Sequence, residues 1–235
     1  MPSRPALLVG VALALAALLA QERVPEALVA METFKVAGVE LEGARHLTRG
    51  EALAAAAIPA GASVWDDLTP WEAGLAGHPL VRSARIRRRL PATLVLVVEE
   101  REPVALLPTP TLEPVDQEGR LLPLDPAGRP LDLPLLEVDS ADHRAVRLLA
   151  SELARLGRVE PAFLGKVSEA AVDDRGDLVA RWGEPLVAFL FSPQVPSRRL
   201  REGVRALEDA TERRDGKPPA SVDLRWADQV VVRPR

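Results

Sequence analysis

Acid-base, nucleophilic and metal chemistry would have to be assembled from few side chains in this sequence. Histidine occurs three times, at His46, His78 and His143, and cysteine not at all. A nucleophilic triad needs a base within hydrogen-bond reach of a serine, threonine or cysteine, and none of the histidines lies in a nucleophile-elbow pattern. They read as turn or surface residues. The acid pairs Asp66-Asp67, Glu99-Glu100 and Asp173-Asp174 could serve acid-base work across a sugar. Neighbouring strand residues point to opposite faces, which separates Glu99 from Glu100, and the other two pairs fall in predicted turns. No HExxH, EF-hand spacing, GxxxxGKS/T or GxGxxG is present, so metal, calcium and nucleotide sites have no local signature. The absence of cysteine excludes disulfides, thiolate catalysis, Cys-ligated zinc, iron-sulfur clusters and a lipoprotein cysteine. The expectation is a protein that is not an enzyme and takes no cofactor or metal.

The one dense charge cluster is Arg85, Arg87, Arg88 and Arg89. On a strand, Arg85, Arg87 and Arg89 share a face. That face reads either as a secondary basic patch for an acidic partner or lipid headgroups, or as a plain solvent face. Bulk charge argues against nucleic acid: the net charge is -4, and only 3% of residues are aromatic. Trp65, Trp71, Trp182 and Trp226 are scattered and do not form a base-stacking platform.

The elements that must position these residues can be read from periodicity and punctuation. With 235 residues, 47% of them hydrophobic, the chain is long enough for two compact units. Phe34 to Glu42 alternates as a strand does, and Gly43 stops it. Thr48 and Glu51 have capping-box spacing before ALAAAAI; Thr69, Pro70 and Glu72 repeat the signal before a second short helix ending at Gly77. Strands are expected around Ala84 to Leu90 and over Thr93 to Arg101, giving the order β-α-α-β-β.

Beyond Pro103 come short strands with Pro and Gly turns: Val104 to Leu107, a hairpin around Gln117-Glu118-Gly119, and a meander flanking Asp174-Arg175-Gly176. Val146, Leu149, Leu153 and Leu156 mark one amphipathic helix from near Asp139 to Gly157. Leu200, Val204, Leu207 and Thr211 mark another over Ser197 to Arg213. Ser221 to Val232, SVDLRWADQVVV, is expected as one terminal strand at a sheet edge.

At the amino terminus, Arg4 precedes the uncharged run Ala6 to Ala20. Leading positive charge puts the first residues in the cytoplasm and the bulk of the chain outside it. A helix of that length rises only about 22 Å against a hydrocarbon core of roughly 30 Å, so the span is short. The rival is a cleaved signal peptide, whose small-x-small cleavage site is poor here, since Leu18 stands where a small residue is wanted. A buried cytosolic helix is disfavoured by the lack of a polar face.

Three stretches together resemble the FtsQ/DivIB family of bacterial cell-division proteins. VAGVELEGARHLTRGEALAAAAIPAGASVWDDL with HPLVRSARIRRRLPATLVLVVEEREPVALL resembles the family's POTRA module; PVDQEGRLLPL resembles the V-D-x-x-G hairpin opening its β-domain; SVDLRWADQVVV resembles its carboxy-terminal strand. The resemblance implies an α+β fold divided into a cytoplasmic tail (1–5), a short transmembrane helix (6–20), a linker (21–33), a β-α-α-β-β POTRA domain (34–102) and a mixed β-domain with two packed helices (103–235).

It further implies a divisome scaffold at the cell inner membrane and septum, linking early and late division proteins. FtsB-like and FtsL-like partners are expected. The expected docking mode is β-augmentation, in which an extended partner segment adds to the terminal edge strand. Arg225, Trp226, Ala227, Asp228, Gln229, Val230 and Val232 occupy the matching stretch. Trp226 is the expected anchor, the alternative being packing on the last helix. Arg225 reads equally as a partner contact or as a rim charge that discourages wrong edge pairing. Two other classes remain. A POTRA-containing chaperone or assembly module would be expected to have a transmembrane barrel or secretion partner. An exported hydrolase would need a convergent polar pocket.

Overall fold

The computed structural model describes residues 28–126 and 131–235. The expected tail, the anchor and most of the linker lie outside the described residues. The chain divides into two compact units, the first ending at Glu100 and the second running Arg101–Arg235.

In the first unit a 3-10 turn, Glu32–Phe34, precedes strand β1 (Gly38–Glu42), helices α1 (Arg49–Ala56) and α2 (Thr69–Ala76), and strands β2 (Val81–Arg89) and β3 (Thr93–Glu100). The order within the sheet is β1-β3-β2, with β1 parallel and β2 antiparallel to β3. The first strand is thus shorter than the alternation starting at Phe34 suggests. Phe34 instead packs edge-on against Trp65, and Lys35 bridges to Ser63.

Gly43 ends β1 at φ +84°, and a Cβ there would lie 2.1 Å from the Val98 carbonyl, so only glycine fits. The Thr48–Glu51 capping box is fully formed. Two helices approach closely through small residues: a Cβ on Gly74 would lie 2.5 Å from the Ala55 carbonyl, which accounts for the alanine run of α1. Leu75, Val64, Leu94, Leu96 and Ala52 fill the core beneath.

The second capping box does not form. Thr69 is already helical, its amide is capped by the Asp67 carboxylate at 3.0 Å, and Glu72 reaches the amide of Ile86 on β2 instead, at 2.7 Å. The helix begins one residue earlier, with Leu68 at the N-cap, so the Glu72 amide that a Thr69 cap would accept bonds the Leu68 carbonyl at 2.9 Å instead.

The second unit contains β4 (Ala105–Pro108), β5 (Leu112–Val115), β6 (Leu135–Glu137), α3 (His143–Val159), α4 (Pro161–Leu164), β7 (Val167–Val172), β8 (Leu178–Trp182), β9 (Val187–Phe191), α5 (Ser197–Glu212), β10 (Ser221–Asp223) and β11 (Val231–Arg233). Among the described residues these strands form one sheet in the order β11-β10-β9-β8-β7-β6-β4-β5. One core joins Leu149, Leu153 and Leu156 of α3, Leu200 and Leu207 of α5, and Phe189, Phe191 and Val222 of the sheet. Phe163, brought in by α4, stacks on Trp182, whose indole N–H donates to the Phe163 carbonyl at 3.0 Å.

Two turns of this unit are built alike. In Val115-Asp116-Gln117-Glu118-Gly119-Arg120, the Asp116 carboxylate accepts the amides of Glu118 and Arg120. In Val172-Asp173-Asp174-Arg175-Gly176-Asp177, the Asp173 carboxylate accepts those of Arg175 and Asp177. Each turn has a glycine at positive φ, Gly119 at 75° and Gly176 at 84°. The second Oδ of each aspartate accepts a distant arginine, Arg101 on Asp116 at 2.7 Å and Arg225 on Asp173 at 3.2 Å. The entry to the unit and its last hairpin are thereby held by the same device.

The terminal segment departs from the expected single strand. Ser221 to Val232 splits into β10 and β11, which pair antiparallel around the loop 224–230. The reason lies in the partners of β10: it runs parallel to β9 after the α5 crossover, and Leu224 turns inward as a buried core residue. The chain then doubles back to form the edge.

Candidate partner-binding edge

β10 decides which backbone groups of β11 look outward. Its bonds to β9 include Ala188 N–H donating to the Ala220 carbonyl at 3.1 Å and Leu224 N–H donating to the Leu190 carbonyl at 2.8 Å. In a strand the N–H and C=O of alternate residues point to the same side, so Val222, lying between those two bonds, faces β9 while Ser221 and Asp223 face β11. Their register partners, Arg233 and Val231, therefore turn their backbone groups inward, and Ala220 N–H donates to the Arg233 carbonyl at 2.8 Å. Val232 is left with N–H and C=O pointing away from the sheet. Among the described residues no strand pairs with that side of β11. Pro234 carries no N–H to extend the row.

Side chains alternate across the same strand. Val232 lies opposite core residue Val222 on the helix side, half-buried, and Val231 and Arg233 lie on the other face beside Asp223 and Ser221. Val230 packs against the core. Trp226 is 55% exposed, and Ala227, Asp228 and Gln229 are exposed with it in the loop. The structure thus places Trp226 on the surface; packing on α5 is not its role here.

Arg225 has a different place from that of a rim charge. Its guanidinium grips Asp223 bidentately, Nε at 2.9 Å and Nη2 at 2.7 Å, and its Nη1 reaches Asp173 at 3.2 Å and Asp177 at 3.5 Å. Asp223 is 1% exposed. Hydrogen bonding from Arg225 holds the Asp223 carboxyl below the usual range, and the Asp177 amide does the same for Asp173; the Asp223 carboxylate in turn pushes the Arg225 guanidinium up. Ser192 donates its hydroxyl to Asp177 at 2.7 Å, completing the cluster. Arg225 is a brace for the hairpin.

Arg199 of α5 is a residue that periodicity did not single out. Its Nη2 donates to the carbonyls of Trp226 and Gln229, each at 2.7 Å, holding the loop from the helix side. Nothing local in the sequence marks it. Asp173 did carry a signal, since V-D-x-x-G occurs twice in the chain.

The chemistry-bearing residues elsewhere are engaged in local structure. The amides of Arg45, His46 and Leu47 all donate to the Glu100 carboxylate. His78 Nδ1 accepts the Leu80 amide. An open groove between the start of α3 and the Asp173–Asp177 turn is lined by Asp142, His143, Ser151 and Asp177. Of these, Asp142 caps α3, and the Ser151 hydroxyl donates to the Leu148 carbonyl.

On β2, Arg87 pairs with Glu42 and Arg89 with Glu40 and Glu42, across β3. Their aliphatic stems help leave Val95, on that same face, only 2% exposed. Arg85 is exposed on that face, and Arg88 turns the other way, over Trp65 and onto the Val64 carbonyl.

Comparison with known proteins relates the sequence to a family. A model of the FtsQ-type POTRA domain matches residues 34–101, which is the β-α-α-β-β unit. The chain is 30% identical over 217 residues to the cell division protein FtsQ of Rhodothermus marinus, covering 86% of this chain and 79% of that protein. The chain belongs to the FtsQ/DivIB family. Cell division protein FtsQ of Syntrophotalea carbinolica is 29% identical over 161 residues, covering 63% of this chain and 56% of that protein. Cell division protein DivIB of Geobacillus kaustophilus is 31% identical over 137 residues, covering 57% of this chain and 51% of that protein. The FtsQ match to the Rhodothermus protein spans most of the chain, so it takes in the second unit as well as the POTRA.

Proposed function

We propose that this FtsQ/DivIB-family chain is a non-enzymatic divisome scaffold that links early and late division proteins and binds an FtsB- or FtsL-type partner by strand addition to β11. In this reading residues 6–20 anchor it in the cell inner membrane at the septum, with the bulk of the chain extracytoplasmic. The supporting observation is the outward N–H and C=O of Val232 on an edge strand that its own chain pairs on one side. An incoming strand would gain backbone hydrogen bonds there, with the exposed Trp226 available to its side chains. The POTRA unit serves as a second recognition surface in the same reading.

Val232→Pro tests it. Proline removes the outward N–H but leaves the inward pairing of Val231 and Arg233 intact, and an edge strand tolerates it. The variant is expected to fold and to lose binding of the exported segment of an FtsB-type protein, measured by calorimetry beside a thermal melt. Unchanged binding by the folded variant would refute strand addition at β11.

A further inference from the structure

We propose that Arg199 is a positioning residue for the β11 docking edge, holding the loop 224–230 in the form that presents Trp226 and the outward side of Val232. The proposal rests on the strand-addition reading and concerns how that edge is made ready.

The loop joins β10 to a strand of only three residues, Val231–Arg233. So short a strand cannot hold its own approach, and the six exposed or half-exposed residues 225–230 would otherwise sample many backbone states. Two arginines restrict them. Arg225 fixes the start of the loop to Asp223, Asp173 and Asp177. Arg199 fixes its middle and end by donating to the Trp226 and Gln229 carbonyls. These two carbonyls flank the exposed tip and belong to no strand, so the sheet itself does not require the bonds.

The guanidinium is aimed before any partner arrives. Arg199 Nη1 donates to Glu202 one helical turn later at 2.6 Å, and Glu202 also accepts Arg198 Nε at 2.7 Å. The Arg199 side chain is 15% exposed. A fork-shaped donor set is needed to serve a carboxylate on one nitrogen and two carbonyls on another, and a lysine ammonium has no such shape. Arg199 makes no demand on the outer side of β11, which stays clear for a partner strand.

If the loop is competent only part of the time, the apparent dissociation constant rises by the inverse of that fraction. Arg199→Met keeps the stem and removes the donors. Three measurements on the whole chain are made: amide hydrogen exchange, acrylamide quenching of Trp226 against a Trp226→Phe control, and binding of the exported segment of an FtsB-type protein. The variant is expected to exchange faster in residues 224–233 but not in β7 to β9, and to expose Trp226 further to quencher. Its binding is expected to fall roughly tenfold to a hundredfold, mainly through slower association, with Arg199→Lys recovering only part. Should Arg199→Met fail to fold, Glu202→Gln, which removes the aiming carboxylate charge, is expected to give the same pattern more weakly.

Unchanged loop exchange, or unchanged binding with a loosened loop, would overturn the positioning role. Binding that survives both Arg199→Met and Val232→Pro would instead overturn the strand-addition reading beneath it.

Discussion

Replacing Arg225 by methionine is the sharpest test of how the terminal hairpin is held. Methionine keeps much of the apolar stem and deletes the charge. The Arg225 side chain is 19% exposed and that of Asp223 1%, so the pair is largely out of water. Deleting the arginine leaves a buried carboxylate whose remaining ion-pair partner among the described residues is Arg233 at 4.0 Å, and removes the guanidinium that Asp173 and Asp177 share. Breaking one side of a buried pair costs roughly 3–5 kcal/mol. That is a large part of the roughly 5–15 kcal/mol that holds a domain folded, and it corresponds to a fall in Tm of about 10–20 °C.

The pH dependence carries a sign. Asp223 and Asp173 are held below the usual aspartate range, so their contribution is complete above that range, about pH 4, and is lost as pH falls through the lowered values. In the variant, Asp223 loses its main donor while burial still favours the neutral form, so acid relieves it. The gap between wild type and Arg225→Met is therefore largest at pH 7 and narrows toward pH 4. Urea unfolding at pH 7, 5.5 and 4 measures it, and Asp223→Asn added to Arg225→Met should recover part of the loss. A cost under about 1 kcal/mol at pH 7, as for an exposed pair, or a cost independent of pH, would refute the reasoning.

Three further outcomes follow from the first unit. Glu100→Ala strips the acceptor from three successive amides, Arg45 to Leu47, and should cost about 1–3 kcal/mol in urea unfolding. Gly43→Ala should cost about 2–4 kcal/mol, because φ +84° and a Cβ 2.1 Å from the Val98 carbonyl force the backbone to move. Removing Glu40 and Glu42 together should change stability by no more than about 1 kcal/mol, since their arginine partners are solvent-exposed; a larger loss would mean that the ladder over Val95 is structural.

Local rules carried the reading of this chain where the physics is local. Thr48 and Glu51 satisfy each other within one helical turn, and Val146, Leu149, Leu153 and Leu200, Leu207 repeat at the period of a helix face, so these elements were legible from spacing. The Asp116 and Asp173 turns were legible as hairpin signals, although their common construction emerged only with the arginines that each accepts. What failed to show was set by distant partners. Thr69 does not cap its helix, because the Glu72 amide bonds the Leu68 carbonyl and the Glu72 carboxylate is drawn off to the Ile86 amide on β2.

The stretch Ser221 to Val232 alternates like one strand, yet Leu224 is required in the core beneath α5. A Cβ on Gly203 would lie 2.9 Å from the Leu224 side chain, so the helix and Leu224 are already in close contact. Arg225 looked like surface because nothing near it in sequence except Asp223 reveals that Asp173 and Asp177 come to meet it. Of the candidate site, Val232 has outward parity, Trp226 is exposed, and Arg199 entered only through the fold.

The most direct test of the docking edge is residue-resolved amide exchange of Val231, Val232 and Arg233, with and without the exported segment of an FtsB-type protein. The partner is expected to slow exchange at Val232 by at least about tenfold, as for an edge amide taken into a ladder. Val231 and Arg233, already turned inward, should change little. Protection that appears elsewhere while Val232 exchanges at its free rate would contradict strand addition at β11.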